Sequence, residues 1–142
     1  MRKAGFEVKL IVCIDNKNGI AFNGRRQSQD RAVCEDILEM TGDGRLYVSR
    51  YSFGLFEKYR DSRVIQSLVP GRSAGSGDYC FAEDMEPESM LPDADMLIVY
   101  CWNKLYPADR YFDADISGFH ITAETEFKGN SHEKITKRVY MR

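Results

Sequence analysis

The sequence contains no apolar run approaching the ~18 residues a membrane span requires. Its early apolar stretch, residues 10–14, is too short for the core of a secretory signal, so a cytoplasmic protein without membrane attachment is expected. There is no C-x-x-C pair. Cys13, Cys34, Cys80 and Cys101 stand singly in apolar surroundings, which removes support for zinc ribbons and thioredoxin-type redox pairs. They read as buried free thiols in a reducing compartment. The two histidines, His120 and His132, are too few and too far apart for a histidine-rich metal site, and no metal is expected. Neither charge sign dominates: 20 basic residues face 22 acidic ones, for a net charge of −2. That balance lacks the electrostatic footprint of a nucleic-acid binder. Internal repeats and low-complexity tracts are absent.

What is present suits one domain over residues 1–142, with 43% hydrophobic and 12% aromatic residues to build a core. Residues 9–15 read as a buried strand closed by Asn16-Lys17-Asn18-Gly19. A polar loop over 21–27 follows. A helix over 28–40 comes next, with Ser28 as its expected cap, Gly42-Asp43-Gly44 as its stop, and Val33, Cys34, Ile37, Leu38 and Met40 along one face. Further strands are expected over 45–49, 63–68, 78–82 and 95–102, with a short helix over 52–59 and a surface loop over 70–77. Residues 119–127 alternate, placing Phe119, Ile121, Ala123, Thr125 and Phe127 on one side; Gly129-Asn130 turns the chain, and 134–141 returns. Strands alternating with short helices imply an α/β domain with a mostly parallel central sheet, few short helices and a C-terminal antiparallel hairpin. An exposed hairpin edge could support a homodimer.

One residue departs from the pattern of a surface helix. Asp30 precedes Val33, Cys34 and Ile37 by three, four and seven residues, which turns its carboxylate toward the apolar stripe. An inward acid must find donors or become neutral. It is either a half-exposed first-turn acid near the cap or an acid at the mouth of a pocket. Arg25, Arg26, Gln27, Gln29 and Arg31 surround it in sequence. This cluster is either a solvated basic loop or a clamp for phosphate or carboxylate, whose oxygens match guanidinium forks.

These segments, in this order, resemble a divergent dihydrofolate reductase. The run Leu10-Ile11-Val12-Cys13-Ile14-Asp15 with Asn18-Gly19-Ile20 is similar to that family's first strand and active-site loop. Gln27-Ser28-Gln29-Asp30 falls where the family carries Leu-Pro-x-Asp/Glu, which places Asp30 on its active-site acid. Leu46-Tyr47-Val48-Ser49-Arg50-Tyr51-Ser52 resembles the strand ending in Gly-Arg-x-Thr, and Leu91-Pro92-Asp93-Ala94-Asp95 resembles Leu-Pro-x-Ala-Asp. Glu126-Phe127 and Asn130-Ser131-His132 fit the last two strands. The resemblance implies Asp30 as catalytic acid, with Cys13, Arg25, Arg26, Gln27 and Tyr100 toward the substrate. It implies Ser49, Arg50 and Ser52 toward the phosphates of NADPH. Departures accompany it. Phe81-Ala82-Glu83-Asp84 stands where a diglycine approaches the pyrophosphate, and its two acids would repel that group. Arg25-Arg26-Gln27-Ser28 replaces an apolar slot, and Tyr100 stands where threonine is usual.

Two functions follow from different weights on these features. One is an NADPH-dependent reductase of a polar heterocyclic or nucleotide-like substrate. The other is a non-catalytic ligand-binding or regulatory module that has lost the standard cofactor site and takes a small anionic or polar molecule. A phosphodiester hydrolase or RNA-binding protein is the weakest fit, because the carboxylate-histidine spacings of metal-dependent nucleases are missing.

Overall fold

The computed structural model describes residues 8–70, 74–75 and 77–142. Much of the loop expected over 70–77 therefore lies outside the described residues. Strand β1 (Val8–Ile14) runs through the centre of a seven-stranded sheet. It is rich in Val, Ile and Leu because both of its faces are covered. The chain then forms β2 (Gly19–Phe22), β3 (Arg25–Arg26), α1 (Arg31–Thr41), β4 (Leu46–Val48), α2 (Arg50–Phe56), β5 (Val64–Gln66) and β6 (Tyr79–Phe81). It continues through β7 (Ala94–Cys101), β8 (Arg110–Tyr111), β9 (His120–Phe127) and β10 (Ile135–Met141). The large sheet has the order β5-β4-β6-β1-β7-β10-β9. Pairings from β5 to β7 are parallel, and β10 is antiparallel to both β7 and β9. This is the dihydrofolate reductase-like α/β arrangement expected from the sequence.

Side-chain alternation along β1 and β7 divides the core in two. Val8, Leu10, Val12, Leu97 and Val99 meet Met90, Leu91 and Phe112 on one face. Ile11, Ile98 and Tyr100 meet Val33, Cys34, Ile37 and Leu38 of α1 and Phe56 of α2 on the other. Each fully buried aliphatic chain contributes roughly 1.5–3 kcal/mol. Among the described residues no helix is long and apolar enough to cross a membrane.

Several local expectations change. Helix α1 starts at Arg31, and its cap is Asp30, not Ser28. Asp30 is extended (φ −151°, ψ 128°), and its carboxylate accepts from the Ala32 amide; an anion is a stronger cap than a hydroxyl at the positive end of a helix. Residues 21–27 are not simply loop. They form a β2–β3 hairpin turning at Asn23 and Gly24, both with positive φ (54° and 71°), the geometry a two-residue turn between twisted strands requires. A third strand, β8, completes this small sheet. Strand β9 does not bury its alternating face. It is exposed from His120 through Glu126 because it lies at the sheet edge and no described residue covers it. An Arg138–Glu124 pair ties it to β10, a Lys134–Glu126 pair ties it to the residue before β10, and a register shift at Val139/Tyr140 kinks the pairing. Such irregularities discourage edge-to-edge association.

Candidate functional site

In a sheet of this kind a ligand crevice lies outside the carboxyl ends of the strands, where the chain reverses its direction of travel across the sheet. Three neighbouring strands end there, and acids follow two of them. Asp15 follows β1, and Glu83 and Asp84 follow β6, while Ser49 follows β4.

Each acid already has donors from within the chain. The Asp15 carboxylate accepts from the amides of Gly19 (2.7 Å) and Lys17 (2.9 Å) and from Gln27 Nε2 (2.9 Å). Burial opposes its ionisation, but these hydrogen bonds outweigh burial and hold its pKa below the ordinary value. Glu83, 7% exposed, receives the Arg26 fork at both oxygens, Nε at 2.8 Å and Nη2 at 3.0 Å. It also receives the Ser52 hydroxyl at 2.8 Å. Ser49 caps α2 by accepting from the Ser52 amide, and its own hydroxyl donates to Asp84 at 2.7 Å. The Arg26 guanidinium lies 4.3 Å from the Tyr51 ring centroid, and the Arg26 amide donates to the Tyr51 hydroxyl.

Asp30 is 3% exposed, so its inward phase is real. Its partners belong to the turn between β9 and β10. One carboxylate oxygen takes the amides of Ala32 and Asn130, each at 2.8 Å. The other takes the amides of Ser131 (2.9 Å) and His132 (3.1 Å) and His132 Nδ1 (2.8 Å). Burial disfavours the charge, yet this donor set overrides it and depresses the pKa far below the usual carboxylate range. Gly129 makes the approach feasible, since a Cβ there would lie 2.7 Å from Asp30 Oδ2.

His132, in the turn between β9 and β10, is buried and stacked on Trp102, with centroids 4.8 Å apart. Asp30 can only accept, so Nδ1 carries the proton. Nε2 then faces the hydroxyls of Tyr106 (2.8 Å) and Ser28 (3.2 Å).

The candidate residues thus separate into three places. Arg25, Arg26 and Gln27 join Phe22, Asn23 and Pro107 around an open pocket of about 560 Å³. Cys13 and Asp30 border a nearly closed cavity of about 10 Å³, with Cys34, Phe81 and Trp102. Burial pushes the thiols of both Cys13 and Cys34 up. Ser49 and Ser52 belong to the acid cluster, while Arg50 is exposed at the first turn of α2. Tyr100 is fully buried against α1 with its hydroxyl on Asp36, and Lys137 pairs with the same carboxylate. Tyr100→Phe should therefore cost about 1.5–3 kcal/mol of stability, the usual net worth of a hydrogen bond to a charged group. Paired urea-denaturation curves check this. Phe22, Tyr51 and Pro107 are not singled out by the sequence; the Asn23-Gly24 turn is the signal that could have placed Phe22 opposite Arg25.

No family model matches the chain, and no curated protein matches it in sequence. Among solved structures, the chain is similar to dihydrofolate reductase from Enterococcus faecalis, in a complex with NADP(H) and RAB-propyl. The superposition has a TM-score of 0.71 and covers 96% of each chain at 14% identity, which establishes the fold.

Proposed function

We propose that this chain is a ligand-binding module on the dihydrofolate reductase-like scaffold. Its ligand is a small polar anion, taken in the pocket between the β2–β3 hairpin and Pro107. It works without hydride transfer from a dinucleotide held across the strand ends. The observation that carries the reading is the occupied crevice. Ser49 and Ser52, the groups suited to a cofactor phosphate, are already bonded to Asp84 and Glu83. A phosphate charge about 5 Å from the Asp84 carboxylate would meet repulsion of about 3 kcal/mol at an effective dielectric of 20, and the Glu83 charge is already offset by Arg26. The residues present therefore do not fit a pyrophosphate. Asp30 supports the same reading, since both of its oxygens are taken and the space beside it holds about 10 Å³. In the open pocket, Arg25 is exposed and supplies a planar cation for phosphate or carboxylate, with the 43% exposed Phe22 ring beside it. Four free thiols accord with a cytoplasmic setting.

The second reading, an NADPH-dependent reductase, is favoured by the NADP(H) bound to the Enterococcus faecalis enzyme. One pair of titrations separates them. NADPH fluorescence should show no saturable change up to millimolar cofactor. Adenosine 5′-monophosphate, used as an anionic probe, should raise the melting temperature where adenosine does not, and Arg25→Ala should remove that rise. Saturable NADPH binding with turnover of dihydrofolate would establish the reductase instead.

A further inference from the structure

The contact between Arg26 and Glu83 has the form of a ligand complex. A planar cation meets a buried carboxylate through two parallel N–H···O bonds, at 2.8 and 3.0 Å. A hydroxyl from Ser52 fixes one oxygen of that carboxylate, and the Tyr51 ring lies 4.3 Å from the cation. Carboxylate, orienting hydroxyl and aromatic face are together the parts of a guanidinium receptor. The group filling it comes from a short hairpin segment, whose Asn23 and Arg26 amides donate to Asp109 and the Tyr51 hydroxyl. Among the described residues, strand β3 is two residues long and pairs with β2 alone, through Ala21↔Arg26 and Phe22↔Arg25. Its turn, Asn23-Gly24, is exposed.

Energetics make this an exchange site. Withdrawing Arg26 into water would leave Glu83 buried with only the Ser52 hydroxyl, and an uncompensated buried charge is strongly unfavourable. The hairpin therefore stays closed on its own. A free cation presenting the same fork would satisfy Glu83 in its place and release Arg26 together with the adjoining Gln27. We propose that Glu83, Ser52 and Tyr51 form a binding site for a small planar cation of the guanidinium or amidinium class, that Arg26 occupies it as an internal surrogate, and that such a ligand displaces the β3 segment to uncover the strand-end crevice. This site adjoins the anion pocket, because Arg26 lines that pocket as well.

Chemical rescue tests it. Arg26→Ala vacates the site, and guanidinium chloride at 1–20 mM, far below denaturing levels, is the probe. The melting temperature of the variant should rise by about 5 °C and saturate, as expected for a ligand that binds only the native state. Benzamidine should act at lower concentration. Sodium chloride and methylammonium chloride at equal ionic strength should not reproduce the rise, nor should urea, which is planar but neutral. Arg26→Ala combined with Glu83→Gln should lose the response. A response equal for guanidinium and sodium, or none at all, overturns the proposal and leaves the pair as a structural tie. Should Arg26→Ala fail to fold, Arg26→Gln keeps most of the side-chain volume, and the yield of folded protein after refolding with 5 mM guanidinium, relative to methylammonium, gives the same decision.

Discussion

Asp30→Ala should lower the free energy of unfolding by about 3–5 kcal/mol, the range for removing one member of a buried charged network. Four backbone amides, from Ala32, Asn130, Ser131 and His132, point at this carboxylate, and His132 Nδ1 adds a fifth donor. Alanine returns none of these bonds. The helix also loses its cap, worth about 1 kcal/mol on its own. Asp30→Asn should recover only part of the loss, because an amide offers a single acceptor oxygen to donors that approach both. Urea denaturation monitored through Trp102 checks this, with a lowered midpoint at unchanged slope. A loss under 1 kcal/mol would mean that the turn at 129–132 relaxes onto other acceptors, and Asp30 would return to consideration as a group free for chemistry.

The Asp30 clasp shows how far the sequence could be read. Helical phase alone turned the carboxylate inward, and inward it lies. What it meets there is a turn a hundred residues later in the chain, and no local pattern encodes that meeting. Glu83 and Asp84 behave alike. Their presence in place of glycines was visible, but their donors come from Arg26, Ser52 and Ser49, on three separate stretches of chain. The parallel strands were easier, since β1, β6 and β7 are buried on both faces and read as continuous apolar runs. Strand β9 misled for the opposite reason. Its alternation is genuine, but whether an alternating face is buried depends on what packs over it, and at this edge no described residue does. The β2–β3 hairpin was obscured by its length. Two residues of β3 are too few for periodicity to register, although the Asn-Gly turn was present.

Acid should weaken the protein in a window set by the same carboxylate. The folded-state pKa of Asp30 lies well below its ordinary value of 3.8, despite burial, because the turn amides and His132 favour the charged form. The unfolded chain therefore takes up this proton at a higher pH than the folded chain does. The stability Asp30 confers is fully present above the unfolded value and is lost as pH falls through the folded one. As pH falls from 4 to 2 the folded carboxylate stays ionised while the unfolded one takes up its proton. The slope from this group steepens toward about 1.4 kcal/mol per pH unit, and the loss sums to about 2 kcal/mol over the window. Asp15, also depressed by its hydrogen bonds, adds to the slope in the same direction. Urea midpoints taken at intervals from pH 5 to pH 2 give the measurement, with Asp30→Asn as the comparison. The variant starts lower but should show a slope reduced by the Asp30 share. Parallel curves for the two proteins would mean that protonation of Asp30 is not linked to folding, and the amide cage around it would have to be far looser than its 2.8–3.1 Å bonds indicate.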